Sequence, residues 1–120
     1  MKHLKRRWTI LENSKKILNL LGLATKAGKI ASGEFAAEKA VKSGKAHLVI
    51  VSEEASDNTR KMFQNMCTHY KVPIYFFGKK EELGHAMGKE MRASLALLDA
   101  GFSKALVKQM ELNGGSEYES

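Results

Sequence analysis

His47-Leu48-Val49-Ile50-Val51-Ser52 decides the fold. Leu48 to Val51 are apolar without a break, and Val49, Ile50 and Val51 are β-branched. A strand with one wet face alternates apolar and polar residues; an unbroken run needs cover on both faces. This run therefore predicts a strand inside a sheet with helices on each side. Val72 to Phe77 repeats the pattern, with Pro73 near the strand start, where a missing donor is tolerated. Ala93 to Leu98 is a third such run, and Ile30 to Ser32 a short strand-like link.

Helical segments separate the strands. Asn13 or Ser14 is placed to cap a helix reaching Lys26, with Ile17, Leu18, Leu20, Leu21 and Ala24 as its apolar stripe and Gly28 beyond its end. A second helix is expected from Glu34 to Ser43, stopped at Gly44. Ser56 or Asn58 caps a third, reaching Tyr70, with Met62, Phe63, Met66, Cys67 and Tyr70 on one face. A short helix over 79–87, loosened by Gly84 and Gly88, and a last one over 101–110 complete the order. Strands alternating with helices predict an α/β protein, a single-domain three-layer α-β-α sandwich with a central mixed four-stranded sheet. Residues 1–13 read as a basic N-terminal arm, 14–110 as the folded domain, and 111–120 as an acidic flexible tail.

The chain has 120 residues, enough for one core without covalent staples. One cysteine excludes an internal disulfide, and no apolar run approaches a membrane span. The basic start lacks the apolar stretch of a secretion signal, so the expected location is the cytoplasm. Net charge is +7, unevenly spread. Residues 1–50 carry 11 Lys/Arg against three acids, residues 51–110 nine against seven, and the last ten none against three. An excess of this size, concentrated in one half, suggests a polyanion and above all nucleic acid.

Catalytic chemistry finds no footing. His3, His47, His69 and His85 include no pair at metal-site spacing, and Cys67 falls on an apolar helix face. Glu53-Glu54 and Glu81-Glu82 lie near helix starts, where the dipole accounts for them. No phosphate-binding P-loop is present, so no enzyme activity, metal or cofactor is expected. Two segments carry more than structure requires. Residues 26–39 run from a lysine-rich link into a helix N-terminus, whose unpaired N–H groups suit a phosphate, or form a plain loop-to-helix junction with solvated lysines. Residues 82–92 combine two glycines four apart with charged residues around Met91, a recognition loop or simply a glycine-stopped helix.

At these segments the sequence resembles a known family. GKIASGEFAAEKAVKSGKAHLVIVSEEAS (28–56), VPIYFF (72–77) and KKEELGHAMGK (79–89) are similar to the kink-turn-binding ribosomal proteins of the large subunit, the L-seven-Ae family. The resemblance covers residues 14–110; ATKAGKIASGE (24–34) and LLDAGFSKALVKQM (97–110) place it nearest the bacterial YlxQ-like branch. It implies a three-layer sandwich that binds structured RNA without catalysis. The family link reads Gly-x-Asn-Glu, followed by a Lys: the Asn and Glu read sheared G·A pairs and the Lys meets the backbone. Here Gly33 and Lys39 match, while Phe35 and Ala36 occupy the Asn and Glu positions. Phe35 can stack on a base but cannot hydrogen-bond its edge, and Ala36 offers no polar contact. In the second loop, where the family sets an apolar residue against a flipped base, Met91 is placed for that contact, beside Lys89 and Arg92.

The expected function is thus RNA binding, ribosomal or translation-associated, with weak kink-turn preference. Lys29, Lys39, Lys42 and Arg92 would take phosphates, Phe35 and Met91 unstacked bases, and Gly33, Glu34, Ala36 and Lys89 complete the face. The expected partners are structured RNA and the ribosome or translation machinery, with no membrane; the expected state is a monomer. Two alternatives remain open on the same fold: a protein-interaction adaptor using Phe35, or a stand-alone relic of an RNA methyltransferase substrate-binding domain.

Overall fold

The computed structural model describes residues 2–113, with side chains from Glu12 onward. Nine elements follow in order: α1 (Lys2–Lys26), β1 (Ile30–Ser32), α2 (Glu34–Lys42), β2 (Leu48–Val51), α3 (Asp57–Tyr70), β3 (Ile74–Phe76), α4 (Lys80–Ala86), β4 (Ser94–Leu97) and α5 (Ala100–Leu112). Among the described residues the strands form one sheet of order β1-β4-β2-β3. β4 runs antiparallel to both β1 and β2, and β2 is parallel to β3, so the sheet is mixed.

The pleat sends alternate residues to opposite faces, and both faces are covered. Leu48, Ile50, Tyr75, Leu95 and Leu97 pack with Ile17, Leu21, Leu83 and Leu106 beneath α1, α4 and α5. Val49, Val51, Ile74 and Ala96 pack with Ala37, Ala40, Val41, Phe63 and Cys67 beneath α2 and α3. The unbroken apolar strands thus reflect a true three-layer sandwich. α2 meets the sheet through alanines, Ala37 and Ala40 against Ala96, and such small side chains let the helix lie close. Among the described residues no helix is long and apolar enough to cross a membrane.

Two boundaries differ from expectation. α1 starts at Lys2, not at Asn13 or Ser14; no Gly or Pro interrupts residues 2–21, and Lys, Arg, Leu and Glu are good helix formers. Asn13, expected as a cap, is instead a buried residue within the helix. Residues 2–13 therefore continue the first helix as backbone, whatever their charge does. At the other end α5 continues through Leu112 with Asn113 as its cap, so the tail expected from Glu111 begins inside a helix, and residues 114–120 lie outside the described residues. Ser56 caps α3 as expected, its Oγ accepting from Thr59 N at 3.2 Å.

Phe63 and Cys67 are buried on the inner face of α3, Met66 beside them, and Met62 is half-buried. Burial pushes the Cys67 thiol up to about 12, so at neutral pH it stays a protonated, unreactive core group. Phe63→Ala should cost about 3–5 kcal/mol in urea unfolding. Cys67 should resist thiol reagents until the protein unfolds; rapid labelling of the native state would contradict its placement.

Candidate nucleic-acid interface

Antiparallel pairing of β1 with β4 sets the exit of β1 beside the entrance of β4. Gly33 N, just past β1, extends that ladder by donating to Ser94 O at 2.9 Å. Gly33 then turns the chain into α2 with φ +94°, a left-handed conformation that side-chain-bearing residues rarely adopt. It brings no capping group, and no side chain caps α2. The first-turn N–H groups of Glu34, Phe35 and Ala36 therefore point out of the helix end, which favours an anion there.

The second loop is held by backbone. Gly84 O accepts from Lys89 N at 2.7 Å, and Lys80 O from Arg92 N at 3.0 Å, folding residues 87–92 back along α4. Residues Glu90 and Met91 lie directly across Gly84: a Cβ there would come within 2.6–2.8 Å of their backbone. Two carboxylates fasten the start of α4. Glu82 Oε1 accepts from Lys79 N, and Glu54 Oε1 from Lys80 N, each at 2.9 Å. Glu54, expected to serve the start of α3, thus serves α4 instead.

Arg92 joins the two loops. Its Nε donates to Ser32 Oγ at 3.1 Å and its Nη1 to Met91 O at 2.8 Å. Between the loops lies a cleft of about 450 Å³, lined by Ser32, Gly33, Glu34, Phe35 and Ala36 on one side and Met91 to Ser94 on the other, with Thr59 of α3. Phe35 and Met91 flank it and are 81% and 56% exposed. Ser94 Oγ is buried with no hydrogen-bond partner among the described residues. Phe35 also borders a second hollow, with Glu38, Lys39, Lys42 and Ser43 along α2.

The structure brings Gly33, Glu34, Phe35, Ala36, Met91 and Arg92 into one cleft, with Lys39 and Lys42 one step along α2 and Lys89 beside Arg92 in an adjoining hollow. Lys29 is left out. It precedes the far end of β1, where its carbonyl accepts from Leu98 N, about 13 Å of extended chain from Gly33. Lys42 Nζ lies 2.7 Å from Glu38 Oε1, and this ion pair, by its hydrogen bond and charge, raises the lysine's pKa. Lys42 therefore offers its charge to a ligand less freely than an unpaired lysine would. Ser32, Thr59 and Ser94 belong to the cleft without having been singled out from sequence. Ser32 could have been found from its place before Gly33, but Thr59 reaches the site only through the packing of α3, and no local pattern marks it.

Comparison with known proteins agrees with this architecture. The model of the ribosomal protein L7Ae/L30e/S12e/Gadd45 family matches residues 15–107. The chain is 39% identical over 92 residues to the RNA-binding protein YlxQ of Bacillus subtilis, covering 77% of this chain and 92% of that protein. It is 30% identical to the large ribosomal subunit protein eL8 of Thermoplasma volcanium, over 81% of each. Among solved structures it resembles the Giardia lamblia 15.5kD RNA binding protein, with a TM-score of 0.66, 29% identity and 86% of each chain covered. The fold is thus one these relatives share, and the chain belongs to the ribosomal protein L7Ae/L30e/S12e/Gadd45 family.

Proposed function

We propose that this protein is a non-catalytic, cytoplasmic RNA-binding protein of the translation apparatus, taking structured RNA into the cleft between β1–α2 and the α4–β4 loop. One observation carries the reading. Two exposed apolar side chains, Phe35 and Met91, flank one cleft that also holds an uncapped helix N-terminus and Arg92. Single exposed apolar residues are ordinary; two across a cleft that holds Arg92, with Lys39 and Lys89 in the adjoining hollows, suit unstacked bases between phosphate contacts. Names of relatives support the same reading, since YlxQ and the Giardia protein are RNA-binding and the Thermoplasma protein is ribosomal.

The roles follow from position. The N–H groups at the start of α2 receive a phosphate, and Lys39 and Lys89 extend that contact on either side. Arg92 is spent partly on Ser32 and Met91 O, so it sets the spacing of the loops as well as adding charge. Phe35 stacks on a base and Met91 packs against a second. Ser94 Oγ offers a polar contact at the cleft floor. Phe35 and Ala36 supply no polar reading of G·A pairs, so shape and unpaired bases decide the target rather than a kink-turn as such.

Several measurements bear on this. Phe35→Ala should weaken the native RNA by about 1–3 kcal/mol, read by fluorescence titration. Phe35→Asn with Ala36→Glu should strengthen a kink-turn hairpin selectively over the same hairpin without its G·A pairs, each bidentate contact being worth about 1–3 kcal/mol. Tight binding by the unsubstituted protein that collapses when those pairs are removed would overturn the assignment.

Gly84→Ala should displace the loop at Glu90 and Met91, costing about 1–3 kcal/mol of stability by overpacking. It should weaken RNA binding in parallel, because Met91 and Arg92 move with the loop. A variant that unfolds more easily yet binds normally would show that the second loop does not contact RNA. Three cationic contacts predict a log–log salt slope of about −2 to −3 on a blunt hairpin. A flat salt response would favour an apolar protein partner at Phe35 instead.

A further inference from the structure

The cleft accounts for only part of the charge. α1 carries seven Lys and Arg against Glu12 alone, the largest basic excess of any element, and among the described side chains none of α1 lines the two-loop cleft. Its exposed side faces α4 across a groove of about 820 Å³. The floor is apolar, made by Leu18, Gly22 and Leu23 of α1 with Ala86 of α4. Helix α1 comes close to α4 at Gly22, where a Cβ would stand 3.4 Å from Ala86 O. Lys15 and Lys26 stand along the α1 side, eleven residues and so about 16 Å apart.

The groove is linked to the cleft through shared lining residues. His85 lines it and also the hollow that holds Lys89 and Arg92, and Arg92 in turn lines the cleft. One acidic group borders the groove, Glu82, and its Oε1 is turned to the Lys79 N–H.

We propose that the α1–α4 groove is a second RNA-contacting surface, which receives an unpaired strand leaving the structured element held in the cleft. The proposal rests on the RNA reading above and extends its footprint across His85. Lys15 and Lys26 take phosphates a few nucleotides apart, and the strand between them passes over Leu18 and Leu23. An apolar floor favours an unpaired strand over a duplex, because a duplex keeps its base faces stacked inside and presents only edges, sugars and phosphates, whereas an unpaired strand presents the faces as well. The spacing of the two lysines spans a few nucleotides, longer than a single contact requires.

The test uses the full chain and two probes: a blunt RNA hairpin with an internal loop, and the same hairpin carrying an oligouridine extension of eight nucleotides at either end. The extension at one end should tighten binding about tenfold. Lys15→Gln with Lys26→Gln should abolish that gain and lower the salt slope on the extended probe by about 1.4, at about 0.7 per single-strand phosphate. The double variant should bind the blunt hairpin as before, which also shows that it is folded. Lys15→Arg with Lys26→Arg should keep the gain. An extension without effect at either end, or a gain that survives in the Gln variant, overturns the groove assignment. Lys39→Gln with Arg92→Gln reports separately on the cleft. If it weakens the blunt hairpin while the extension does nothing, the cleft reading stands and the groove falls. If it leaves the blunt hairpin unchanged, the cleft reading falls by itself.

Discussion

The antiparallel pairing of β1 with β4 is the constraint on which the site depends. β1 contributes three residues, and its ladder is prolonged by the bond from Gly33 N to Ser94 O. That register makes two segments some sixty residues apart into neighbours, the start of α2 and the loop that follows α4. A shift of one residue in β1 would turn Ser32 to the other face of the sheet and separate it from Arg92. The central position of β4, bonded on both sides, holds this edge against such slippage.

Glycine and arginine then shape the cleft in different ways. Gly33 supplies a turn that a side chain would strain, and the absence of a capping group leaves the α2 amides available. Gly84 matters for space: the backbone of Glu90 and Met91 occupies the volume a Cβ would need. Arg92 supplies what neither can, a planar fork able to reach a hydroxyl of one loop and a carbonyl of the other. A lysine, with a single donor centre on a flexible stem, would satisfy one of these contacts at a time.

Charge is arranged around this frame rather than within it. Lys42 is paired with Glu38, Glu82 and Glu54 are bound to backbone N–H groups at the start of α4, and Lys39 and Lys89 flank the cleft. Glu38, Glu54 and Glu82 thus serve as structural acceptors, which lessens their repulsion of a polyanion. The strongest basic excess lies in the sequence of α1, and of its described cations Lys15 and Lys26 line the groove against α4.

The layer architecture was legible in the sequence because burial leaves a local record. Leu48 to Val51 could not be an exposed strand, and of the apolar face read on α3, Phe63, Met66 and Cys67 are buried and Met62 half-buried, while Tyr70 at the helix end is exposed. Gly33, Phe35 and Met91 were also legible, since a turn residue before a helix and misplaced apolar residues in polar loops are features of short windows. Where α1 begins was not, because a basic segment without breakers is equally compatible with an arm and a helix; the backbone continues as helix from Lys2. The tertiary structure alone decided that Thr59 and Ser94 join the cleft, that Lys29 sits at the far end of β1, and that Glu54 caps α4. The physical reason is common to all three. Periodicity and turn chemistry report how a residue meets its own neighbours in the chain, whereas strand order and helix packing are set by contacts between segments far apart, and no short window of sequence contains both partners.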